Sequence, residues 1–294
     1  MSLAPSEVLD TARWAEANGF HGVWYADHYM PNTGSEEIQP GEVHECWAML
    51  PALAAVTERV RIGSLVSPTS VHHPAVLANR AASVDHLSNG RLVLGLGAGW
   101  QINEHRAYGI ELEPPRRRVD RFEEAIRIIR SLLTEERTTF HGSIYTITDA
   151  PADPKPVQSP LPILVGTGGP RMMRITARFA TEWNTWGTVA SSAARRAAFV
   201  AACESVQIDP ADKWTSAQAL VFLTDDDAAA ERVRSGEMGA RSIAGTADRL
   251  VDELGQYAAN GFDEFIVPDW NLGDTAPARR DALARLHADV LTQL

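Results

Sequence analysis

Leu92-Val-Leu-Gly-Leu-Gly-Ala-Gly-Trp100 is an apolar run that breaks into glycine and leads into helix-forming sequence. A continuous apolar strand is buried on both faces, as in a parallel sheet. Glycines at its end let a phosphate or a flat ring lie against the main chain, because no Cβ stands in the way. A second run of the same design, Pro162-Ile-Leu-Val-Gly-Thr-Gly-Gly-Pro170, follows 70 residues on. Two such mouths in one chain point to a large cofactor spanning several strand ends, and so to an enzyme.

Outward from these runs the chain alternates between helical and strand patterns. Helices are expected over Ser6–Asn18, Glu45–Thr57, His73–Leu87, Arg118–Leu133, Met172–Ala180, Ser191–Ser205 and Thr246–Ala259, with another at the C-terminus. Strands are expected at Val23–Asp27, Val60–Ser67, Arg91–Leu96, Ile163–Val165, Glu182–Trp186, Ser216–Leu223 and Glu264–Val267. Pro114-Pro115 reads as a stop, and a hairpin-like excursion surrounds Phe140–Tyr145. A series of about seven strands alternating with helices indicates a parallel α/β sheet. No linker breaks the composition, so one domain over 1–294 is expected. The leading architecture is a (β/α)8 TIM-type barrel with an insertion after strand 4. Its first strand is missing, because the chain opens on a helix.

The chain has 294 residues, 45% hydrophobic and 22% charged, which supports a substantial core. A net charge of −11 argues against a general binder of nucleic acid or anionic membrane. Cys46 and Cys203 fit no zinc or CxxC spacing and suggest a reducing compartment. No apolar run approaches the roughly 20 residues of a membrane span. The cytoplasm is the default location, and a small molecule the expected partner.

Asp27-His28 follows a strand, where a near-neutral imidazole suits proton transfer. The plainer alternative is that Asp27 caps the loop and His28 sits on the rim. Gly166-Thr167-Gly168-Gly169-Pro170, followed by Arg171, is the best anion site, with backbone N–H groups at a helix start and a guanidinium beside them. Arg174 and Arg178 extend that strip. Arg116, Arg117, Arg118 and Arg121 read as a solvated helix face. His72-His73 and Glu104-His105 are poor metal candidates, because the other strand ends offer Ser, Thr, Pro and Gly. A dinucleotide fingerprint at Gly95–Gly99 is disfavoured, since about 20 residues on it meets Pro114-Pro115 and arginines instead of an acid.

Several pieces taken in order resemble the luciferase-like superfamily, specifically its coenzyme F420-dependent oxidoreductases. They are Ala15–His28, Arg61–Pro68, His73–Ala78, Asp85–Arg91, Gly95–Trp100 with Asn103-Glu104-His105, and Gly166–Pro170. The resemblance implies hydride transfer between the deazaflavin and a small organic substrate, with His28 and Asp27 as the catalytic residues. It implies a cis peptide at Ser64-Leu65, a bulge ahead of Ser67 that backs the ring. Gly97 and Gly99 clear room for that ring, and Asn103 bonds the cofactor. Trp100, where some relatives carry a glutamate acid, and Trp186 line the substrate pocket. Loops 29–43 and 134–155 shape it. A homodimer is expected. The alternatives are an FMN-dependent monooxygenase on the same barrel and a catalytically silent cofactor-binding barrel.

Overall fold

A computed structural model of the chain describes residues 3–32, 36–38 and 40–294. Part of loop 29–43 therefore lies outside the described residues. The chain divides into two compact units that meet in sequence at Gly166-Thr167.

The first unit runs α1 (Pro5–Ala17), β1 (Gly22–Tyr25), α2 (Cys46–Val56), β2 (Arg61–Ser64), β3 (Ser67–Pro68), α3 (Pro74–Leu87), β4 (Leu92–Gly97), α4 (Ile102–Ala107), α5 (Pro115–Thr134), β5 (Thr138–His141), β6 (Thr146–Ala150) and β7 (Ile163–Gly166). Its sheet is parallel in the order β1-β2-β4-β7, and β3 also pairs with β4. Tyr25 stands opposite Ser64, Ile62 opposite Leu92, and Leu96 opposite both Ser67 and Val165. All six residues of β4 are buried, as its unbroken apolar run requires of a central strand. Helix α5 buries Phe122, Ala125, Ile126, Ile128, Ile129, Leu132 and Leu133, a broad apolar face at helical spacing. The excursion after α5 is the antiparallel hairpin β5–β6, with a register shift between Thr138 and Phe140.

The second unit runs α6 (Pro170–Phe179), β8 (Glu182–Trp186), α7 (Val189–Ser205), β9 (Trp214–Gln218), β10 (Leu220–Leu223), α8 (Asp227–Ser235), β11 (Ser242–Gly245), α9 (Ala247–Ala259), β12 (Glu264–Ile266) and α10 (Ala276–Asp289). Strands β8, β9 and β12 form one parallel set, and β10 with β11 another. Its core holds Trp183 stacked on Phe199, ring centroids 4.6 Å apart, with Tyr257 and Phe262 in the same cluster. Both units repeat the strand–helix order with parallel pairing that defines the TIM-type class.

Several elements differ from the sequence reading. Pro114-Pro115 does not stop a helix but starts one, since Pro115 takes the first turn of α5, where its missing N–H costs nothing. The single strand expected over Val60–Ser67 is two, β2 and β3. The strand expected over Ser216–Leu223 also divides, because β9 pairs with β8 and β12 while β10 pairs with β11. Helices α4 and α8 and strand β11 are too short for their periodicity to stand out. Among the described residues no strand precedes α1.

Arg91 fastens the start of β4 to the end of α2. Its Nε donates to Ser88 O (2.7 Å), Nη1 to Thr57 Oγ1 and Val60 O (both 2.9 Å), and Nη2 to Ala54 O (3.0 Å) and Thr57 O (2.8 Å). Every guanidinium N–H is used, and two acceptors are carbonyls at a helix C-terminus, which favours a cation. Arg91→Lys offers three donors from one point and leaves carbonyls unpaired. A loss of about 2 kcal/mol is expected, read as a lower urea midpoint at unchanged slope.

Candidate functional site at the strand ends

Asp27 lies two residues beyond β1 and is 1% exposed. Its Oδ2 accepts three hydrogen bonds, from Ser67 Oγ (2.6 Å), His72 Nε2 (2.8 Å) and Trp47 Nε1 (3.2 Å). The Trp47 indole N–H also reaches Ser67 Oγ at 3.0 Å. The side chain is thus held from α2, β3 and the turn before α3, and its partners are side chains, so it is not a loop cap. Its other oxygen, Oδ1, is buried with no hydrogen-bond partner. The negative charge is felt nearby. Burial first, and then Asp27, push the Cys46 thiol well above its ordinary range. Burial, followed by the charges of Asp27, Glu45 and Glu104, also raises the Tyr29 phenol. Both groups stay protonated at neutral pH.

His28 is partly exposed and turns Nδ1 toward the Glu104 carboxylate, 3.4 Å from each oxygen. Glu104 is itself buried and accepts the Tyr29 N–H at 2.5 Å. A carboxylate facing Nδ1 favours a proton there and leaves Nε2 as the free acceptor of the neutral ring. Trp100, 54% exposed, sets its ring edge-on to His28 with centroids 5.7 Å apart. Asn103 is buried in α4. Its Nδ2 donates to Glu37 O (2.9 Å) and its Oδ1 accepts the Glu104 N–H (2.8 Å), so it ties a loop to the helix that carries Glu104.

The cis peptide lies at Leu65-Val66, one bond later than the resemblance implied. Leu65 N still donates to Tyr25 O at 2.8 Å, and the Ser64 hydroxyl donates to Gly95 O at 2.9 Å. The ladder therefore holds through Leu65, and the chain leaves it only afterwards. The glycines of β4 clear room chiefly for this segment. A Cβ at Gly95 would stand 1.9 Å from Ser64 O, and one at Gly97 would stand 2.8 Å from Val66 Cγ2. One at Gly166 would lie 3.5 Å from Val66 Cγ1. Val66 thus fills a slot made of glycines from two strands. At Gly99, whose φ is +86°, the same space is taken by Ser70 Oγ, 2.0 Å away. This corrects the expectation that Gly97 and Gly99 open directly onto a ring.

Polar atoms without partners gather at this end of the sheet. Besides Asp27 Oδ1 they are Thr69 Oγ1, both amide atoms of Gln101, and Arg118 Nε. Thr69 N donates to Gly97 O at 2.8 Å, and Arg118 Nη1 donates to Gly99 O. Thr69, Gln101 and Arg118 therefore border the turn 97–101, while Asp27 is held from β3 by Ser67. A buried polar atom without a partner costs about 1–3 kcal/mol, so such a group at strand ends marks where a ligand supplies the missing bonds. The mixture of acceptors and donors fits the edge of a heterocyclic ring better than a simple ion. No group of three or more His, Cys, Asp or Glu among the described residues is arranged for a metal.

The second unit opens with the other glycine turn. Thr167 N donates to Asn184 O (3.3 Å), and Trp183 Nε1 donates to Thr167 O (2.9 Å). Gly169 caps α6, and a Cβ there would meet nothing within 4 Å. At Gly168 it would meet only Arg195 Nε, at 4.0 Å. Arg195, on α7, donates to Thr185 Oγ1 and to Trp186 O at the end of β8. Open main chain at a helix start with a guanidinium alongside is an anion site in form. Arg195 comes to it from 24 residues beyond Arg171, which no local pattern could reveal.

Of the expected residues, the first unit collects Asp27, His28, Ser64, Leu65, Ser67, Gly97, Gly99, Trp100, Asn103 and Gly166, and the second holds Thr167, Gly168, Gly169, Arg171 and Trp186. Trp47, His72, Gln101 and Glu104 join the first group unforeseen. The sequence offers His72 and Glu104 only as poor metal ligands, although each lies in a motif that stands out in it.

The sequence model of the family described as luciferase-like monooxygenase matches residues 2–264. An F420-dependent glucose-6-phosphate dehydrogenase of Kineococcus radiotolerans is 39% identical over 176 residues, which is 60% of this chain and 50% of that one. Another of the same description, from Amycolatopsis mediterranei, is 36% identical over 59% of this chain and 51% of its own length. The chain thus spans about half the length of these curated relatives. Among solved structures, an F420-dependent secondary alcohol dehydrogenase in complex with an F420-acetone adduct matches 96% of this chain and 95% of its own, at 20% identity and a TM-score of 0.78. A long-chain alkane monooxygenase matches 98% of this chain and 84% of its own, at 14% identity and a TM-score of 0.81. These likenesses share the fold.

Proposed function

The chain belongs to the luciferase-like monooxygenase family, and from that premise we propose that it is an oxidoreductase that binds coenzyme F420 and serves hydride transfer to or from a small organic substrate. The observation that carries this reading is the set of buried, unpartnered polar atoms around turn 97–101, beside a sequence 36–39% identical to relatives named as F420-dependent. When bound, F420 supplies a two-electron hydride carrier; the chain's own residues do the rest. Asp27 Oδ1, its open acceptor, would help to hold the group, while Oδ2, bound by three donors, keeps the carboxylate from turning. Gln101 and Thr69 would add further polar contacts to it. Val66, seated in its glycine slot, would back it with a firm wall. His28 moves the substrate proton through Nε2, and Glu104 steadies the imidazolium that results. In the second unit, the turn Thr167–Arg171 with Arg195 would hold an anionic group. Trp100, edge-on to His28, lines the substrate side of the first unit's site.

The reading extends to one barrel domain over 1–294, acting as a homodimer in the cytoplasm. Two free, buried cysteines suit a reducing compartment. No helix among the described residues is long and apolar enough to cross a membrane.

Titration with F420 and with FMN, followed by tryptophan quenching, tests the cofactor. Submicromolar binding of F420 and weaker binding of FMN are expected. The reverse order would replace this reading with the FMN-dependent monooxygenase. His28→Ala is expected to slow turnover by roughly 100-fold or more with F420 affinity retained. Tight binding with no turnover in either protein would favour a silent cofactor-binding barrel.

A further inference from the structure

We propose that the substrate side of the first unit's site is built for an uncharged, flat apolar molecule, and that Trp100 selects it. This rests on the preceding reading for the cofactor and names the substrate class of that same site. Four rings run in contact along this side. The Trp100 indole stands edge-on to the His28 imidazole, with centroids 5.7 Å apart. Tyr29, the next residue, tilts against Tyr108 at 5.4 Å, and the Tyr108 hydroxyl donates to Tyr29 O at 3.0 Å. Both ends of the run are open, with Trp100 54% and Tyr108 56% exposed.

Single exposed apolar side chains are ordinary, and only their concentration marks a binding surface. Trp100, Ile102 and Tyr108 all stand exposed between positions 100 and 108. Exposed Ile38 joins them, because Asn103 Nδ2 on α4 holds the adjoining Glu37 O at 2.9 Å. These four belong to the eleven large apolar side chains exposed among the described residues, and the others are spread from Val76 to Leu294.

The surroundings of the rings disfavour a sugar phosphate. Arg106 Nη2 is committed to Glu36 O at 2.6 Å. Arg118 spends Nη1 on Gly99 O, and its Nε is buried beside turn 97–101. Asp27 and Glu104 are each 1% exposed, so solvent screens their charge poorly. Burial first, then the charges of Asp27, Glu45 and Glu104, lift the Tyr29 phenol above its ordinary range, with Arg80 a smaller opposing influence. The potential over these rings is therefore negative, and a phosphate dianion approaching them is repelled. Hydrogen-bonding capacity points the same way. A sugar brings several hydroxyls, each costly to bury without a partner. The polar groups of Tyr108, Asn103 and Arg106 already hold the loop that carries Tyr29 and Glu37. A flat apolar face stacks on indole and phenol rings and leaves nothing unpaired.

Binding is read first, from fluorine NMR of protein labelled with fluorotryptophan, with F420 present and without it. The chain has eight tryptophans, and the Trp100 resonance is the one lost in Trp100→Phe. Benzalacetone, a flat neutral enone, is expected to shift it, and glucose 6-phosphate at the same concentration to leave it in place. Turnover is read second, the enone taking up a hydride and a proton as reduced F420 is oxidised. Trp100→Ala is expected to raise the KM for benzalacetone about tenfold or more, with a far smaller change in kcat. Trp100→Phe should restore most of that loss, and added salt should leave the KM unchanged. A Trp100 resonance that stays in place with benzalacetone, or moves with glucose 6-phosphate, overturns the proposal. So does an unchanged KM in Trp100→Ala. Failure to bind F420 at all sinks the cofactor reading alone, because the spectra taken without F420 still decide the substrate class.

Discussion

Gly95→Ala is expected to leave little or no folded protein, or a folded form weaker by about 3 kcal/mol or more. The added methyl would stand 1.9 Å from the Ser64 carbonyl oxygen, 2.9 Å from its carbon and 3.1 Å from Val66 Cγ1. Two of these atoms are backbone, so no rotamer change relieves the clash. Nor can the strands move apart cheaply. Ser64 Oγ donates to Gly95 O at 2.9 Å and accepts from Gly95 N at 3.1 Å, clamping the two chains at this point. Gly255→Ala makes the control. It lies in α9 with nothing within 4 Å of the new methyl, and helix propensity favours it by about 0.5–1 kcal/mol. Urea unfolding of the pair should therefore move in opposite directions. A Gly95→Ala protein as stable as the wild type would mean that β2 and β4 do not approach as described.

Asp27 separates stability from binding. Asp27→Ala removes the acceptor of three donors and leaves His72 Nε2 buried without its partner. A loss of about 3 kcal/mol is expected, together with a tenfold to roughly hundredfold weaker hold on F420. Asp27→Asn is the sharper probe. Its amide oxygen in the Oδ2 position still accepts all three bonds, so stability should stay within about 1 kcal/mol of the wild type. Its NH2 replaces Oδ1, turning the one open acceptor into a donor. F420 affinity should fall nearly as far as in Asp27→Ala. Thermal unfolding without cofactor and F420 titration of both variants check this. Equal F420 affinity in Asp27→Asn and the wild type would remove Asp27 Oδ1 from the binding site.

Much of the fold was legible because its causes are local. Strand β8 was read at its true bounds, and β4 and α3 within a residue, since apolar periodicity and glycine or proline punctuation act over a few neighbours. The division between β9 and β10 was not legible. Both halves are apolar, and what parts them is the choice of pairing partner, β8 and β12 or β11. The candidate site divides in the same way. Asp27, His28, Asn103 and the glycine turns stood out by type and place along the chain. His72 reaches Asp27 across 45 positions and Ser70 reaches His105 across 35, so neither pair leaves a trace in any local window.

The order of strands and helices, the glycine-ended runs and the family were set by the chain's own residues, because backbone preference and burial are written in near neighbours. Tertiary structure alone decided which oxygen of Asp27 is spent and which is open, and what fills the space beside each glycine. It alone also brought Ser70 to the ring of His105. Hydrogen-bond direction depends on tenths of an ångström between strands and turns far apart in sequence, and only the folded register supplies that.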